Sequence, residues 1–461
     1  MGKKSSSNKI KVTVLAVIIL ASTVNATASA LPRLKRIAIR YYTLKSGLRV
    51  ILSPDADSKF VAVEVQYRIG FETEPYQYRG YAHLLEHVMG HYLEKGEETS
   101  YIQPSGGMTG AWTRGASTQY FVAVGADDLE RVLELDAAMM SPVTISSDVL
   151  TSEKKIIHAE YRQLIENRAF GGLLSISVPQ AAYKHWHDPY AIDSVDAASV
   201  SAVQRFHDDY YLPSNAALSV VGNFSAPEVM RMIRKLFGSI VMRPYPEECL
   251  EECSELYGSG HKVITDTLST ASEVAVSYPM PRQWSADFYS MLVIDELLLQ
   301  QNDSLLRRST AIRSSTSAVA GGINPLGTFC DYAGPMLWTV AFTAKPGKNP
   351  GTILKLFDSM IASFTASPPT NKQLNYAKLY VESRIADMMA IENPHGRADA
   401  LASLALFQDA PDRFNKFLLN LSRVSRERVL ITARKVFSAD HQTVLFAIPA
   451  SQHSKEIGES K

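Results

Sequence analysis

Two histidines and a glutamate lie within five residues of each other, in the segment His83-Leu84-Leu85-Glu86-His87. The surrounding residues 80–94 have helical spacing, and on a helix positions i and i+4 share a face with Cβ atoms about 6 Å apart. The two imidazoles can therefore converge on one metal ion, with Glu86 on the same face. A zinc ion held by two His and a third protein ligand keeps a fourth position for water, whose pKa falls to about 7. Glu86 would be the general base that takes the water proton and passes it to a leaving amine, as in the H-x-x-E-H pattern.

A second helical stretch, residues 147–167, offers the missing ligand. Glu160 can supply the third protein ligand, and Glu153 lies seven residues earlier, which is nearly two helical turns, so both carboxylates face the same way. Glu153 is expected to act from outside the ligand set by positioning a ligand or a water. His91 continues the i, i+4 series but is interpreted as a neighbour, because three protein ligands suffice for a catalytic zinc and Glu160 fits better.

Hydrophobic spacing predicts the elements that position these residues. Residues 61–69 alternate like a half-buried strand, and the mixed order of strands and helices favours an α+β fold over a regular parallel array. Residues 44–52 are predicted as a turn followed by a strand, and further strands are predicted at 61–69, 119–125 and 217–222. The predicted helices are 80–94, 129–140 and 147–167.

The chain also shows signs of duplication. Residues 242–262 are rich in Pro, Glu and Gly, which predicts a linker. Residues 133–139 (LELDAAM) are echoed at 354–360 (LKLFDSM), and residues 212–222 at 438–449. These echoes predict two homologous mixed α/β domains, 31–241 and 263–461, of about 210 residues each, a period too long for a solenoid.

Composition excludes several classes of protein. The 461 residues include 47 Lys+Arg and 47 Asp+Glu, and 46% are hydrophobic. That apolar fraction is ample for sizeable cores and excludes a disordered chain. The balanced charge leaves no basic surface of the kind that binds nucleic acid.

Of the three cysteines, Cys249 and Cys253 are spaced for either a distorted disulfide or two free thiols, and Cys330 stands alone.

Residues 1–30 resemble an export signal. Four lysines precede the apolar stretch 12–21, and Ala28-Ser29-Ala30 supplies small residues at the cleavage positions. The stretch is shorter than the roughly 20 residues that span a bilayer, although an uncleaved anchor is the alternative. We therefore expect a periplasmic or secreted chain that starts near Leu31 and has no membrane span after cleavage.

Together these residues resemble a known family. The segment Gly80-Tyr-Ala-His-Leu-Leu-Glu-His87 is similar to the G-x-A-H-x-L-E-H signature of the pitrilysin/insulinase family of zinc metallopeptidases, and residues 153–160 resemble its helix bearing the third ligand. The resemblance is closest to the branch of mitochondrial processing peptidase and its bacterial relatives. Further similarities lie at Gly106-Gly107, Thr113, Tyr120 and residues 187–190, 211–215 and 221–224.

The resemblance implies an α+β fold of two related domains that forms half of a clamshell around a peptide. It maps one zinc per chain onto His83, His87 and Glu160, and the general base onto Glu86. Peptide would add as a strand through main-chain hydrogen bonds. The matching edge-strand residues are Gly110, Ala111, Trp112 and Thr113, with Trp112 either packing on substrate side chains or lying in the core.

Two departures from the family pattern bear on partners. The family usually has Asn where this chain has Gly110, which removes a side-chain contact to the peptide. Its second half carries an Arg and a Tyr, seven apart, that bind substrate and stabilise the oxyanion. Arg313 matches that Arg, but Ala320 stands at the Tyr position and Tyr332 lies too far along. The expected partner is a homologous zinc-less subunit carrying the Arg/Tyr pair, or a second copy of this chain.

The sequence thus predicts an exported zinc endopeptidase acting on extended peptides, the zinc subunit of a heterodimer. One alternative is a non-catalytic peptide-binding or assembly subunit of the same fold, which the missing Tyr favours. Another alternative is a metal-binding protein that has no peptidase activity. Glu86 is evidence against this alternative, because metal storage needs no general base. A His₂Glu site can also bind other divalent ions.

Overall fold

A computed structural model describes residues 36–95, 102, 106–184, 186, 188–246, 256, 259–324, 327–330, 334–390 and 394–451. The predicted signal at residues 1–30, Cys249, Cys253, His187 and Tyr332 lie outside these residues, so the statements about them stay predictions. Cys330 is buried. Within the described segments, no helix combines the length and apolar character needed to cross a membrane.

The described strands form two sheets, one from each half of the chain. The first sheet contains β1 (Arg40–Thr43), β2 (Arg49–Pro54), β3 (Val61–Tyr67), β4 (Met108–Thr113), β5 (Thr118–Val124) and β6 (Ala216–Gly222), in the order β1-β2-β6-β3-β5-β4. The second contains β7 (Gly260–Asp266), β8 (Glu273–Pro279), β9 (Thr316–Ile323), β10 (Leu337–Ala344) and β11 (Thr443–Pro449), in the order β7-β11-β8-β10-β9.

Helices occupy most of the remaining described chain. Those of the first half are α1 (Tyr81–Lys95), α2 (Leu129–Met139), α3 (Ser147–Tyr161), α4 (Val178–Ala182), α5 (Ile192–Ala197), α6 (Val200–Tyr210) and α7 (Ala226–Phe237). Those of the second half are α8 (Ala286–Asp295), α9 (Leu305–Arg308), α10 (Thr310–Ser315), α11 (Pro350–Phe364), α12 (Asn371–Met388), α13 (Pro394–Gln408), α14 (Phe417–Ser422) and α15 (Arg426–Val436). π-Helical turns continue α3 and α8 and precede α4, at Arg162–Glu166, Glu296–Gln300 and Leu173–Ser177.

The two sheets share one topology. In each, a parallel pair (β2 with β6, β7 with β11) is followed by three antiparallel strands, and the last strand in the order is an edge. The echoed sequences lie in equivalent elements, α2 with α11 and β6 with β11. The prediction of two related mixed α/β domains is confirmed.

The burial of β3 differs from the prediction. All seven of its residues are buried, so the interpretation as a half-buried strand is wrong. One face of the first sheet packs on helices of the first half, α1 and α2 among them. The other face is covered by α13, through Ala398, Leu401 and Ala402 among others. A strand between two helical layers has no solvent face, which alternation alone could not reveal.

The halves exchange helices. While α13 of the second half covers the first sheet, the segment from Leu173 through α4 packs on the second sheet against Ala275, Leu445 and Ala447. The strand β7 begins at Gly260, inside the predicted linker 242–262. The domain bounds 31–241 and 263–461 stay predictions, and packing crosses them in both directions.

Candidate metal centre

The helix that carries the histidines is held at its N-terminus by a buried carboxylate. Glu74 accepts hydrogen bonds from the main-chain N–H groups of Gly80 and Ala82, the latter at 2.9 Å. Burial raises the pKa of Glu74 to about 8, although these hydrogen bonds act in the opposite direction. Gly80 has φ of 78°, and a Cβ there would lie 3.0 Å from the carbonyl oxygen of Tyr190. A glycine is therefore required where the chain enters α1.

The amphipathic pattern of α1 determines which side chains face outward. Leu84, Leu85, Val88 and Met89 are buried in the core of the first half. His83, Glu86 and His87 lie on the opposite, partly exposed face. The i, i+3, i+4 spacing thus brings the three chemical groups to one surface.

Glu160, on α3, meets the two histidines. The Nε2 atoms of His83 and His87 are 3.2 Å apart. One oxygen of Glu160, Oε2, lies 3.7 Å from the first of these nitrogens and 3.4 Å from the second. All three ligand atoms fall within 4.8 Å of one another, and no other such group of His, Cys, Asp or Glu occurs among the described residues. Two imidazoles and a carboxylate are a donor set that zinc accepts.

The charges around this group favour a cation. Burial lowers the pKa of His87, but hydrogen bonds with Glu153 and Glu160 and the charge of Glu86 outweigh it and raise the pKa to about 10. Burial lowers the pKa of His83 to about 3, assisted by the neighbouring charge of His87. Burial would raise the pKa of Glu160, yet the histidines hold it below its ordinary value. Three carboxylates therefore surround two imidazoles, and a positive charge is stabilised between them.

Glu153 lies beside the ligand group rather than in it. Its Oε2 is 3.5 Å from Nδ1 of His87, and its Oε1 is 2.9 Å from Nδ1 of His91. The carboxylate is buried, so it can hold the far side of the His87 ring while the near side faces the metal position. His91 is bound to Glu153 and is outside the ligand group, as its interpretation as a neighbour requires.

Glu86 links the ligand group to the edge of the first sheet. Burial raises the pKa of Glu86 above its ordinary value, although the charge of His87 and hydrogen bonding with the side chain and main chain of Thr113 act in the opposite direction. Thr113 ends β4, which among the described strands pairs only with β5. The candidate base thus lies against a strand whose other edge is open to a further strand.

The four edge-strand residues do not all face the same way. Ala111 packs toward the core that contains α1. Trp112 points to the opposite face, where its ring stacks on Phe121 and on His395, with centroids 5.3 and 5.0 Å away. The ring of Trp112 is half-buried and packs against the cluster under α13, and its role toward substrate stays a prediction. A Cβ at Gly110 would lie 2.6 Å from Phe121, so a side chain there would collide with these rings, and the expected loss of a peptide contact at this position stays a prediction.

The second half of the chain does not bring its predicted residue to this group. Arg313 lies on α10 with an exposed side chain, and its carbonyl oxygen accepts from Nζ of Lys345 at 2.7 Å. Across the described residues, no hydrogen bond or ion pair joins it to the candidate ligands. Ala320, at the position of the family's Tyr, is exposed on the edge strand β9.

Three residues that contact the ligand group or the elements around it have no signal in the sequence that gives them a role. The ring of Tyr190 lies edge-on to that of His83, with centroids 5.4 Å apart. Residues 187–190 resemble a segment of the family, but that resemblance gives Tyr190 no role. Glu74 gives no sequence signal, because capping by a residue seven positions before the first residue of the helix has no fixed pattern. Asp399, described below, is too distant in sequence to be assigned.

Comparison with known proteins gives matches along most of the chain. A family model described as "Insulinase (Peptidase family M16)" matches residues 49–186, and one described as "Peptidase M16 inactive domain" matches residues 197–380. The zinc protease PqqE of Helicobacter pylori is 26% identical over 280 residues, which are 58% of this chain and 62% of that protein. The coenzyme PQQ synthesis protein F of Pseudomonas putida is 30% identical over 209 residues, 43% of this chain and 27% of that one. The chain thus spans less than two thirds of the length of either relative.

A solved structure shows the same fold. The crystal structure of a protease from Helicobacter pylori superposes with a TM-score of 0.79 at 20% identity, covering 90% of this chain and 100% of that one. At this identity the likeness establishes the arrangement of the two domains and nothing about chemistry.

Proposed function

The chain belongs to the pitrilysin/insulinase (M16) peptidase family, and on that premise we propose that it is a zinc-dependent endopeptidase that cleaves peptides bound in an extended conformation. The observation that carries the proposal is the convergence of His83, His87 and Glu160 beside Glu86, at the open edge of β4. A metal-storage site would need neither the base nor the strand edge.

His83, His87 and Glu160 would hold the zinc. The ion, when bound, would supply a Lewis acid that polarises the scissile carbonyl and acidifies the attacking water. Glu86 has the position of the general base: it would take the proton of that water and deliver it to the departing amine nitrogen. Thr113 keeps the Glu86 carboxylate oriented toward the strand edge. Glu153 keeps His87 oriented through its Nδ1.

The substrate would be bound mainly through its main chain. An extended peptide that adds to β4 satisfies the free N–H and C=O groups of that strand, a mode that selects unfolded segments over folded proteins. Ala111 and Thr113 lie on the face of β4 that carries α1, so they would border the bound peptide on the side of the metal group, and Gly110 and Trp112 would border it on the opposite face.

A second chain would complete the site. Arg313 is exposed and the position of the family's Tyr is Ala320, so this chain lacks one of the two groups that stabilise the oxyanion. We propose a homologous subunit that carries both groups, and export to the periplasm or beyond as the setting. The specific alternative is a non-catalytic peptide-binding subunit, which the missing Tyr favours.

The test compares wild type, Glu86→Gln and His83→Ala on a quenched-fluorescent peptide library, with zinc per chain measured by mass spectrometry. We expect Glu86→Gln to keep its zinc and lose at least about 100-fold in kcat, because only proton transfer is removed. The variant His83→Ala should lose both zinc and cleavage.

The control is His158→Gln. His158 lies on α3 outside the ligand group, and its Nε2 is 2.7 Å from Oδ1 of Asp196. The variant should behave like wild type. Retained cleavage in Glu86→Gln would refute the mechanism, and bound zinc without cleavage, also in the presence of a partner subunit, would favour the binding subunit.

A further inference from the structure

A helix of the second half is bonded to the residue that follows the edge strand. Arg114 comes directly after β4, and its Nη1 and Nη2 donate to Oδ1 and Oδ2 of Asp399 at 2.9 and 3.0 Å. The side chains are 15% and 8% exposed. A two-point bond of this kind fixes the plane of the guanidinium as well as its distance.

Asp399 is itself fixed on the middle of the sheet. Nε2 of Gln66, on β3, donates to Oδ1 of Asp399 at 2.7 Å, and Oγ of Ser403 donates to Oε1 of the same glutamine at 3.0 Å. Asp399 and Ser403 are one turn apart on α13. The helix is therefore anchored to β3, and Asp399 presents its carboxylate to Arg114 from a rigid position.

A second contact reaches the edge strand from the first turn of α13. His395 stacks on Trp112, with an angle of 21° between the rings, and its Nδ1 lies 3.0 Å from Oε2 of the buried Glu64 on β3. The helix thus contacts the residues on both sides of Thr113. Thr113 in turn meets the carboxylate of Glu86.

We infer that Asp399 is a positioning residue for peptide capture: through Arg114 it holds β4 where a peptide can pair with it and where Thr113 meets Glu86. Among the described strands, β4 has a sheet partner on one side only. Its other contacts include α1 and, through Trp112 and Arg114, the side chains of His395 and Asp399 on α13. The inference rests on the proposed function, in which β4 binds the peptide. It assigns part of the peptide site to a residue 285 positions away, in the other half of the chain.

The test uses two variants of the Arg114–Asp399 pair and, as a control, a variant of another side-chain bond to α13. Asp399→Asn removes the charge that Arg114 meets, and Arg114→Lys keeps the charge but loses the two-point bond. Asp55→Asn is the control, because Asp55 Oδ2 bonds Nη1 of Arg397 on α13 at 2.7 Å. That bond ties the helix to the end of β2, four places from β4 in the sheet.

Two measurements are made on the zinc-loaded proteins: hydrogen exchange of the amides in 108–114, and KM and kcat for peptide cleavage. We expect Asp399→Asn to speed exchange in β4 about tenfold and to raise KM about fivefold with zinc per chain unchanged. Arg114→Lys should show a smaller change in the same direction. Asp55→Asn should leave β4 exchange and KM near the wild-type values while lowering the melting temperature.

Unchanged β4 exchange in Asp399→Asn overturns the inference, as does an equal change in Asp55→Asn, which would show that α13 acts only on overall stability. If Asp399→Asn does not fold, Arg114→Lys decides by the same criteria. The exchange measurement does not depend on peptide cleavage. If the wild-type protein neither binds nor cleaves peptide, the proposed function is refuted. Faster exchange confined to β4 in Asp399→Asn would then still support the link through Arg114.

Discussion

At the scale of single residues, the candidate site depends on side chains outside the ligand set. The imidazole of His87 lies between two carboxylates, with Glu160 near its Nε2 and Glu153 near its Nδ1. The second contact fixes the ring orientation that a metal would need. It also keeps the tautomer in which Nε2 is free to bind the ion.

We expect Glu153→Gln to weaken zinc binding by a factor of about 10 to 100, because loss of such a contact lowers the basicity and the order of the ligand. The measurement is competition for zinc against a fluorescent chelator. Glu130→Gln, which breaks an exposed pair with Lys235 at 3.3 Å, serves as the control. Equal zinc affinity in Glu153→Gln and wild type would contradict the role given to this carboxylate.

The sequence could predict the ligand group because its members are spaced by helical periodicity within two short segments. It could not predict which way Trp112 points, since both alternatives fit an edge strand. Nor could it pair Arg114 with Asp399, because a contact across half the chain leaves no local pattern.

At the scale of elements, the position of α1 depends on its N-terminus. Glu74 is fully buried and satisfies main-chain N–H groups that would otherwise have no partner. The same turn passes through Gly80, whose backbone packs against Tyr190. The cap therefore connects the helix of the histidines to the segment that carries Tyr190.

We expect Glu74→Ala to lower the free energy of unfolding by about 1–3 kcal/mol, since it leaves buried N–H groups unpaired. It should also weaken zinc binding, because His83 lies in the first turn of α1. Ser199→Ala, which removes the exposed cap on Ala202 N–H of α6, is the matched control. Urea unfolding and zinc titration of both variants give the comparison; a loss of stability with unchanged zinc affinity would show that the cap does not position the histidines.

The predicted elements coincide with observed ones to within a few residues, except that the helical pattern 147–167 ends as an α-helix at Tyr161 and continues as a π-turn. Periodicity identifies an element and its buried side. It does not identify the layer on the other side, which is why β3 was predicted as half-buried.

At the scale of the whole molecule, the second domain repeats the architecture, and its described residues include no second group like the His83, His87 and Glu160 set. The helices α8 and α12 take the topological places of α1 and α3. There Nη1 of Arg384, on α12, lies 2.8 Å from Oε1 of Glu296 and 3.6 Å from Oδ2 of Asp295. An arginine thus supplies the positive charge between these helices in the second domain.

This cluster makes stability depend on pH. Burial raises the pKa of Glu296 to about 7, although the charge of Arg384 acts in the opposite direction. Between pH 4.5 and 7 the folded state therefore keeps a proton on Glu296 that the unfolded chain releases. The stabilisation that this tighter proton binding gives the folded state, at most about 3 kcal/mol, is present below pH 4.5 and is lost as pH rises to about 7. We expect Glu296→Gln to lose less stability than wild type over that range. Melting temperatures at pH 5 and 7.5 give the comparison, and parallel losses in the two proteins would contradict the assignment.

The exchange of helices also dictates when the first domain can be completed during synthesis. The outer face of its sheet, with Ile51, Phe121 and Val221, is covered by Leu401 and its neighbours on α13. A ribosome must therefore translate beyond residue 408 before that face can be buried. Until then the nascent chain carries an apolar sheet surface that a chaperone must shield. Truncation before α13 would leave a first domain with its sequence intact and its sheet half uncovered.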